Sequence, residues 1–150
     1  MKVVYSDLKN KRVFISGGGS VIGATIVEHF CEQKSEVYFI DIDLKSSKKL
    51  IKKIKKKGYR VPKFIECNIL DVKKLQNIIK DIISKKGAIH CLINSAANDD
   101  RHTTEQVDEK YWENRMGINL KHYFFAAQAV VKGMKKIKSG SIVNLSSVSW

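Results

Sequence analysis

The chain has 150 residues, of which 43% are hydrophobic and 29% charged, and its formal net charge is +13 because 28 Lys and Arg outnumber 15 Asp and Glu. This length and composition predict one globular domain over residues 1–150, and no apolar run approaches the roughly 18 residues that a membrane-spanning helix needs. The three cysteines are scattered and lack metal-ligand spacing, which predicts reduced thiols and no metal site. The N-terminus lacks the apolar core of a secretory signal, so we expect a cytoplasmic protein without a membrane partner.

The first predicted elements are a strand at 12–16, a glycine-rich turn and a helix at 22–33. A second strand at 36–40 ends beside Asp41, about 20 residues after the turn. Unpaired amides and the dipole at the start of a helix favour a bound phosphate, and an acidic residue at this spacing is typical of dinucleotide-binding sites. The pattern therefore predicts a nucleotide cofactor site.

A predicted helix at 45–57 carries much of the positive charge. Its apolar positions Leu50, Ile51 and Ile54 form a narrow stripe, which is surrounded by eight lysines: Lys45, Lys48, Lys49, Lys52, Lys53, Lys55, Lys56 and Lys57. Lysines bind nucleic acids through the release of counterions, but this segment has neither aromatic side chains nor clustered arginines. We therefore expect a solvated surface helix and no nucleic-acid partner.

The rest of the chain continues the alternation of strands and helices. Further strands are predicted at 63–67, 88–94 and 141–145, and further helices at 72–85 and 107–136. Asp71 and Asp108 are expected to cap these two helices, and Gly87 to end the first of them. The alternation predicts an α/β fold with a doubly wound parallel sheet between two layers of helices, in which the turns after the first and fourth strands lie side by side.

Two loops resemble motifs of the short-chain dehydrogenase/reductase family. The turn Ser-Gly-Gly-Gly-Ser-Val-Ile-Gly at 16–23 is similar to the family's T-G-x-x-x-G-x-G, and Asn-Ser-Ala-Ala at 94–97 resembles its N-N-A-G. Asn119 and the pair Ser146-Ser147 match further family positions. The resemblance covers essentially the whole chain and implies a Rossmann-type fold, truncated after the fifth strand, that binds NAD or NADP in an oxidoreductase.

The resemblance also implies which residues shape the cofactor site: Gly17, Gly19, Ser20, Ile22, Gly23, Asp41, Asn68, Ile69, Asn94 and Ala96. Asp41 would accept hydrogen bonds from the adenosine ribose hydroxyls and repel the extra phosphate of NADP, so NAD is the expected cofactor. Lys45 is the nearest basic residue that would favour NADP instead. Asn68 stands where an aspartate usually meets the adenine amino group, with the Ile69 backbone beside it.

A narrower resemblance is to dehydrogenases that oxidise C1 of aldoses, of the xylose or galactose type. It rests on Asn-Asp-Asp-Arg-His at 98–102, Tyr111-Trp112 and Ser-Val-Ser-Trp at 147–150. It implies oxidation of an aldose to a lactone, with Ser147 bonding the reacting oxygen and Asn119 supporting a water relay. The complete protein is expected to be a homo-oligomer, and four polar residues are expected near the sugar: Asn98, Asp99, Arg101 and Ser149.

Two departures from the family pattern limit what the chain could do alone. Val21 stands at the middle glycine of the turn, where a positive φ would be unusual for a β-branched residue. Either cofactor affinity would fall, or the loop would shift toward Gly18 and Gly19. In the family a Tyr-x-x-x-Lys helix follows the serine that Ser147 matches, and the corresponding positions would lie beyond Trp150. We therefore expect the 150-residue chain to be nearly inactive by itself and to leave its fifth strand as an open sheet edge.

Several alternatives stay open on sequence alone. The family also contains reductases of 3-oxoacyl and other carbonyl substrates that use NADPH. A non-catalytic nucleotide-binding fragment, or a decayed remnant of an enzyme, would carry the same motifs. The segment 98–102 could equally be a solvated loop with an internal Asp–Arg pair.

Overall fold

A computed structural model of the chain describes residues 3–147. Its five strands are β1 (Arg12–Ser16), β2 (Glu36–Asp41), β3 (Lys63–Glu66), β4 (Cys91–Asn94) and β5 (Ser141–Asn144). They form one parallel sheet in the order β3-β2-β1-β4-β5, which confirms the doubly wound topology. Because the winding reverses between β1 and β4, the turns that follow these two strands are neighbours, as the sequence predicts.

The helices are α1 (Val21–Glu32), α2 (Leu44–Lys56), α3 (Val72–Lys86), α4 (Glu109–Met116) and α5 (His122–Lys136). Short 3-10 turns lie at Ser6–Leu8 and Thr104–Gln106. The Asp71 side chain accepts the Lys74 amide hydrogen at 2.9 Å and Asp108 accepts that of Tyr111 at 2.6 Å, so both predicted caps are confirmed. Gly87 follows α3 with a φ of 89°, which confirms it as the end of that helix.

Two predicted elements differ from the structure. The predicted helix at 107–136 is interrupted by a π-helical turn at Gly117–Lys121, which inserts an extra residue between α4 and α5. The predicted strand at 88–94 begins only at Cys91, which pairs with Val13 of β1, although the preceding His90 amide already donates to the Arg12 carbonyl at 2.8 Å. Helical periodicity does not distinguish a π-helical turn from an α-helix, and the start of β4 depends on its pairing with β1, which is distant in the sequence.

The sheet is covered on both faces, which confirms the three-layer architecture. Phe14 of β1 packs with residues of α3 and α5, whereas its neighbours Val13 and Ile15 pack with residues of α1 and α2. Alternate side chains of a strand point to opposite faces, so one continuous apolar run serves both layers.

The lysine-rich helix α2 lies on the surface, as predicted. Leu50 and Ile54 are buried, while all eight lysines of the segment are exposed. Lys53 pairs with Glu28 of α1 at 2.6 Å, and Lys57 contacts the same carboxylate. Across residues 3–147, no helix has the length and apolar character required to cross a membrane.

The strand β5 forms one edge of the sheet within the described residues. All four of its residues are exposed, and the exposed fraction is 37% for Ile142 and 41% for Val143. Its partner on the inner side is β4, whose Leu92 and Ile93 lie opposite these two side chains. Over residues 3–147, the open edge predicted from the sequence is therefore present.

Candidate functional site

The glycine turn after β1 contacts the turn after β4. The Gly17 amide donates to the Ile40 carbonyl at 2.9 Å, and Gly17 has a φ of 70°. A Cβ atom on Gly17 would lie 2.6 Å from the Ala96 Cα atom, and one on Gly23 would lie 1.9 Å from the Gly17 carbonyl oxygen. A side chain on Gly17 would therefore push the glycine turn away from the turn after β4, and one on Gly23 would push α1 away from the glycine turn.

The start of α1 offers backbone donors to an anion. The Ser20 side chain caps none of its amides, and the first turn contains no acidic residue. The first backbone bond of the helix runs from the Ala24 amide to the Ser20 carbonyl at 3.2 Å. Amides at such an end need an external acceptor, and the helix dipole favours one that is negatively charged.

Asp41, at the carboxyl end of β2, contacts the glycine turn directly. Its Oδ2 atom accepts the Gly19 amide hydrogen at 2.8 Å, and its Oδ1 atom accepts that of Asp43 at 2.8 Å. A Cβ on Gly19 would lie 2.9 Å from Oδ2 of this carboxylate and 2.6 Å from the Ser47 hydroxyl oxygen. The missing side chain of Gly19 is therefore what lets the acidic residue approach the turn.

A cleft of about 850 Å³ lies along the carboxyl ends of the strands. It brings together eleven of the residues predicted from the sequence: Gly17, Ser20, Ile22, Gly23, Asp41, Asn68, Ile69, Ala96, Asn98, Asp99 and Ser147. Four others lie outside its lining: Gly19, Asn94, Arg101 and Asn119. Ser149 lies outside the described residues.

Two of those four residues support the cleft from beneath. Gly19 and Asn94 are buried, and Gly19 holds Asp41 as described above. The Asn94 side-chain amide donates to the Asn144 side-chain oxygen at 2.8 Å and so ties β4 to β5. Its own side-chain oxygen is buried without a hydrogen-bond partner in the structure.

The loop after β4 is held by residues of α4 and of the π-helical turn. The Asn119 side chain accepts the Asn98 amide hydrogen at 2.8 Å and donates to the Asn98 carbonyl at 2.9 Å. The Arg115 Nη2 atom lies 3.1 Å from the Asp100 Oδ2 atom, and this hydrogen bond holds the pKa of the Asp100 carboxyl below its ordinary value. The Arg115 guanidinium carbon also lies 4.6 Å from the centre of the Tyr111 ring. The acid–arginine pair of this loop thus uses Arg115, not the neighbouring Arg101.

Sequence reasoning missed Arg115 and also the buried pair Ser16 and His122. The His122 Nε2 atom lies 3.3 Å from the Ser16 hydroxyl oxygen, and both residues are fully buried. One signal was present: His122 shares a buried helix face with Ala126 and Val130 at a spacing of four residues. A polar residue on such a face needs a buried partner, although the pattern does not say which.

Val21 occupies the unusual backbone conformation considered in the sequence analysis. Its φ is 40°, and its side chain is 83% exposed at the surface of the cleft. Left-handed backbone is strained for a β-branched residue, and the isopropyl group takes up space where a glycine would leave the backbone open.

Within residues 3–147, no group of three or more His, Cys, Asp or Glu side chains is arranged to hold a metal ion. The three cysteines are unpaired, and burial raises the pKa of the Cys31 thiol to about 12.

Comparison with known proteins gives consistent matches. A family model described as short chain dehydrogenase matches residues 11–149. The Rhizobium meliloti protein named "Probable galactose dehydrogenase GalD" is 38% identical over 146 residues, which are 97% of this chain and 57% of that protein. The D-xylose 1-dehydrogenase of Caulobacter vibrioides is 38% identical over 148 residues, covering 98% of this chain and 57% of that enzyme.

A solved structure of the same kind is also similar. The ligand-free aldohexose dehydrogenase of Thermoplasma acidophilum matches with a TM-score of 0.81 and 27% identity, over 96% of this chain and 52% of its own. The present chain thus spans 57% of the length of the two curated relatives named above.

Proposed function

The chain belongs to the short-chain dehydrogenase family, whose members use a nicotinamide cofactor, and we propose that its cleft binds NAD in an enzyme that oxidises C1 of an aldose. The observation that carries the proposal is the 2.8 Å hydrogen bond from the Gly19 amide to the Asp41 carboxylate at the edge of the 850 Å³ cleft. The likeness to galactose and xylose dehydrogenases supports the choice of substrate class.

The cleft fits the pyrophosphate of a dinucleotide. The uncapped amides at the start of α1 are donors that phosphate oxygens would satisfy. Gly17 and Gly23 lack the Cβ atoms that would force the surrounding turns apart. Val21 is the one poor match, because its exposed side chain lies on the surface that a pyrophosphate would approach.

Asp41 supports NAD as the cofactor rather than NADP. A carboxylate can accept about four hydrogen bonds, and two are already taken by the amides of Gly19 and Asp43. The remaining capacity suits ribose hydroxyls, which are donors. A ribose phosphate carries negative charge and would be repelled by the carboxylate at short range.

The other end of the cleft would hold the nicotinamide and the sugar. The chemistry that a bound nicotinamide supplies is the acceptance of a hydride. Ser147 lines the cleft with Ala96 and would donate a hydrogen bond to the oxygen on C1 of the substrate. Asn98 and Asp99 line the same end, where they would bond sugar hydroxyls, and Asn119 would act by fixing Asn98.

The proposal extends to a homo-oligomer in the cytoplasm. Large apolar side chains are exposed along α4 and α5, with Trp112 at 58% and Phe124 at 65%, and such exposure supports contact with a second copy. The three unpaired cysteines favour a reducing compartment.

A decayed remnant of an enzyme, with weakened nucleotide binding and no turnover, is a second candidate, and Val21 favours it. Its φ of 40° and its position in the cleft both weaken the approach of a pyrophosphate. A protein that, as its gene encodes it, bound NAD only weakly and turned over neither aldoses nor carbonyl substrates would establish this candidate in place of the enzyme.

Two measurements test the proposal. Isothermal titration calorimetry of the chain should show binding of NAD and at least about tenfold weaker binding of NADP, a difference of about 1.4 kcal/mol. The protein as its gene encodes it, assayed with a panel of aldoses and both cofactors, should reduce NAD and release a lactone. The absence of binding heat with either nucleotide at millimolar concentration would reject the cofactor assignment.

A further inference from the structure

His122 is a fully buried histidine that joins two parts of the cleft. It is the first residue of α5, directly after the π-helical turn that carries Asn119. Its Nε2 atom lies 3.3 Å from the hydroxyl oxygen of Ser16, the last residue of β1. Ser16 is also fully buried.

The Ser16 hydroxyl oxygen has three neighbours, and their chemistry fixes the direction of each bond. The Ala96 amide donates to it at 3.3 Å, and the Ser95 amide donates to it at 3.2 Å while also reaching the Ser16 carbonyl at 3.3 Å. These two donors occupy both of its lone pairs, so its single hydrogen must go to an acceptor. The His122 Nε2 atom is the acceptor within reach.

His122 must therefore be neutral, with its hydrogen on Nδ1. The Nδ1 atom is buried without a hydrogen-bond partner in the structure. Burial lowers the pKa of His122 to about 4, which agrees with a ring that stays neutral near pH 7.

We infer that His122 is a positioning residue for the cofactor cleft: by accepting the Ser16 hydrogen, it keeps the Ser16 oxygen on the amides of Ser95 and Ala96. This inference deepens the proposed function and rests on it for its effect on NAD binding. The fourth-strand turn is thereby fixed against Gly17, whose absent Cβ would lie only 2.6 Å from the Ala96 Cα atom.

Without His122, the Ser16 hydroxyl would have no acceptor for its hydrogen among the contacts described. It could then rotate toward another acceptor and give up one of its two amide donors. Because Ala96 lines the cleft and Ser95 precedes it, loosening these amides would displace the surface on which the cofactor lies. We expect NAD binding to weaken about tenfold, which corresponds to about 1.4 kcal/mol.

The first test uses the unmodified chain and does not involve NAD. Nitrogen-15 NMR of the histidine rings, with the His122 signals assigned by their loss in His122→Gln, should show the proton on Nδ1 and none on Nε2 at pH 7. A proton on Nε2 would overturn the inference, whether or not any variant folds and whether or not the chain binds a nucleotide.

The second test compares two substitutions of the same residue. His122→Leu should bind NAD about tenfold more weakly and exchange the Ser95 and Ala96 amide hydrogens faster. His122→Gln provides an amide oxygen as a substitute acceptor and should stay within about threefold of the unmodified chain. His90→Gln, a histidine at the opposite end of β4, controls for the loss of a ring.

The double variant Ser16→Ala/His122→Leu should bind NAD no more weakly than Ser16→Ala, because both changes remove the same unit. Unchanged Ala96 exchange in a folded His122→Leu chain would contradict the inference, because the Ser95 amide keeps the Ser16 carbonyl as a second acceptor. If the unmodified chain fails to bind NAD, the proposed function fails, while the ring protonation and the amide exchange still decide the role of His122.

Discussion

The Asp41 carboxylate accepts the amide hydrogen of Gly19 at 2.8 Å, so the residue that ends the second strand also holds the glycine turn that follows the first. Any change at Asp41 therefore alters two things at once: the group offered to a ribose and the shape of the turn. A switch of cofactor preference at this position would have to preserve the bond to Gly19.

Replacement of Asp41 by alanine should therefore weaken NAD binding about a hundredfold, or about 2.7 kcal/mol, because hydrogen bonds to a charged group are worth about 1.5–3 kcal/mol each. Asp41→Asn keeps an oxygen for Gly19 but loses the charge, so its loss should be smaller and its discrimination against NADP reduced. Calorimetric titration with both nucleotides measures these effects. Asp81→Ala, on the exposed surface of α3, is the control, and equal affinities of Asp41→Ala and the unmodified chain would refute the prediction.

Val21→Gly should tighten NAD binding by about threefold to tenfold. The change removes a side chain from the cleft surface and relieves left-handed strain of about 1–2 kcal/mol, partly offset by the greater freedom of glycine in the unfolded chain. Val21→Ala keeps a Cβ atom and should give a smaller gain. Titration that shows unchanged or weaker binding for the glycine variant would count against the role assigned to Val21.

The low pKa of His122 predicts that the folded chain loses stability in mild acid. Its pKa is about 4 in the folded chain and 6.5 for an ordinary histidine, so the unfolded chain binds the proton more tightly. Above pH 6.5 this difference in pKa contributes about 3 kcal/mol to the free energy of unfolding, and the contribution is lost as the pH falls toward 4. Urea unfolding of the chain at several pH values measures this slope.

His90 acts in the same direction, since burial lowers its pKa too. The contribution of His122 is therefore the part of the slope that disappears in His122→Gln and remains in His90→Gln. A slope that is identical in the unmodified chain and in His122→Gln would show that His122 does not titrate as described.

The open edge of β5 should make the 150-residue chain self-associate. Ile142→Lys places a charge on this edge and should reduce the association, because charged side chains oppose pairing of exposed strands. Ile137→Lys changes an equally exposed isoleucine outside the strand and serves as the control. Sedimentation velocity over a range of concentrations measures the effect, and a monomeric chain with a sharp two-state melt would contradict the prediction.

The sequence predicted the architecture well because the strands and helices follow local rules. Continuous apolar runs such as Val13 to Ile15 indicate strands covered on both faces, and Asp71 and Gly87 mark the ends of a helix by their own chemistry. The order of the sheet follows from the handedness of the crossovers. Each of these signals lies within a few residues of the structure that it predicts.

The parts of the cleft that were missed depend on contacts between distant residues. Ser16 and His122 are 106 positions apart, and Arg115 reaches Asp100 across 15 positions. The π-helical turn at Gly117–Lys121 has the same local preferences as the helices around it, so periodicity alone could not reveal it. The roles of the individual cleft residues toward NAD and sugar stay predictions.

The π-helical turn separates two helical segments that contact different parts of the cleft. Tyr111 and Arg115 on α4 hold the loop at the rim, whereas His122 and Tyr123 on α5 contact the end of β1 and the Leu145 carbonyl after β5. A substitution on α4 can thus remodel the entrance while the floor keeps its shape. If the proposed function holds, the rim that faces the sugar could change in sequence while the contacts beneath the dinucleotide stay the same.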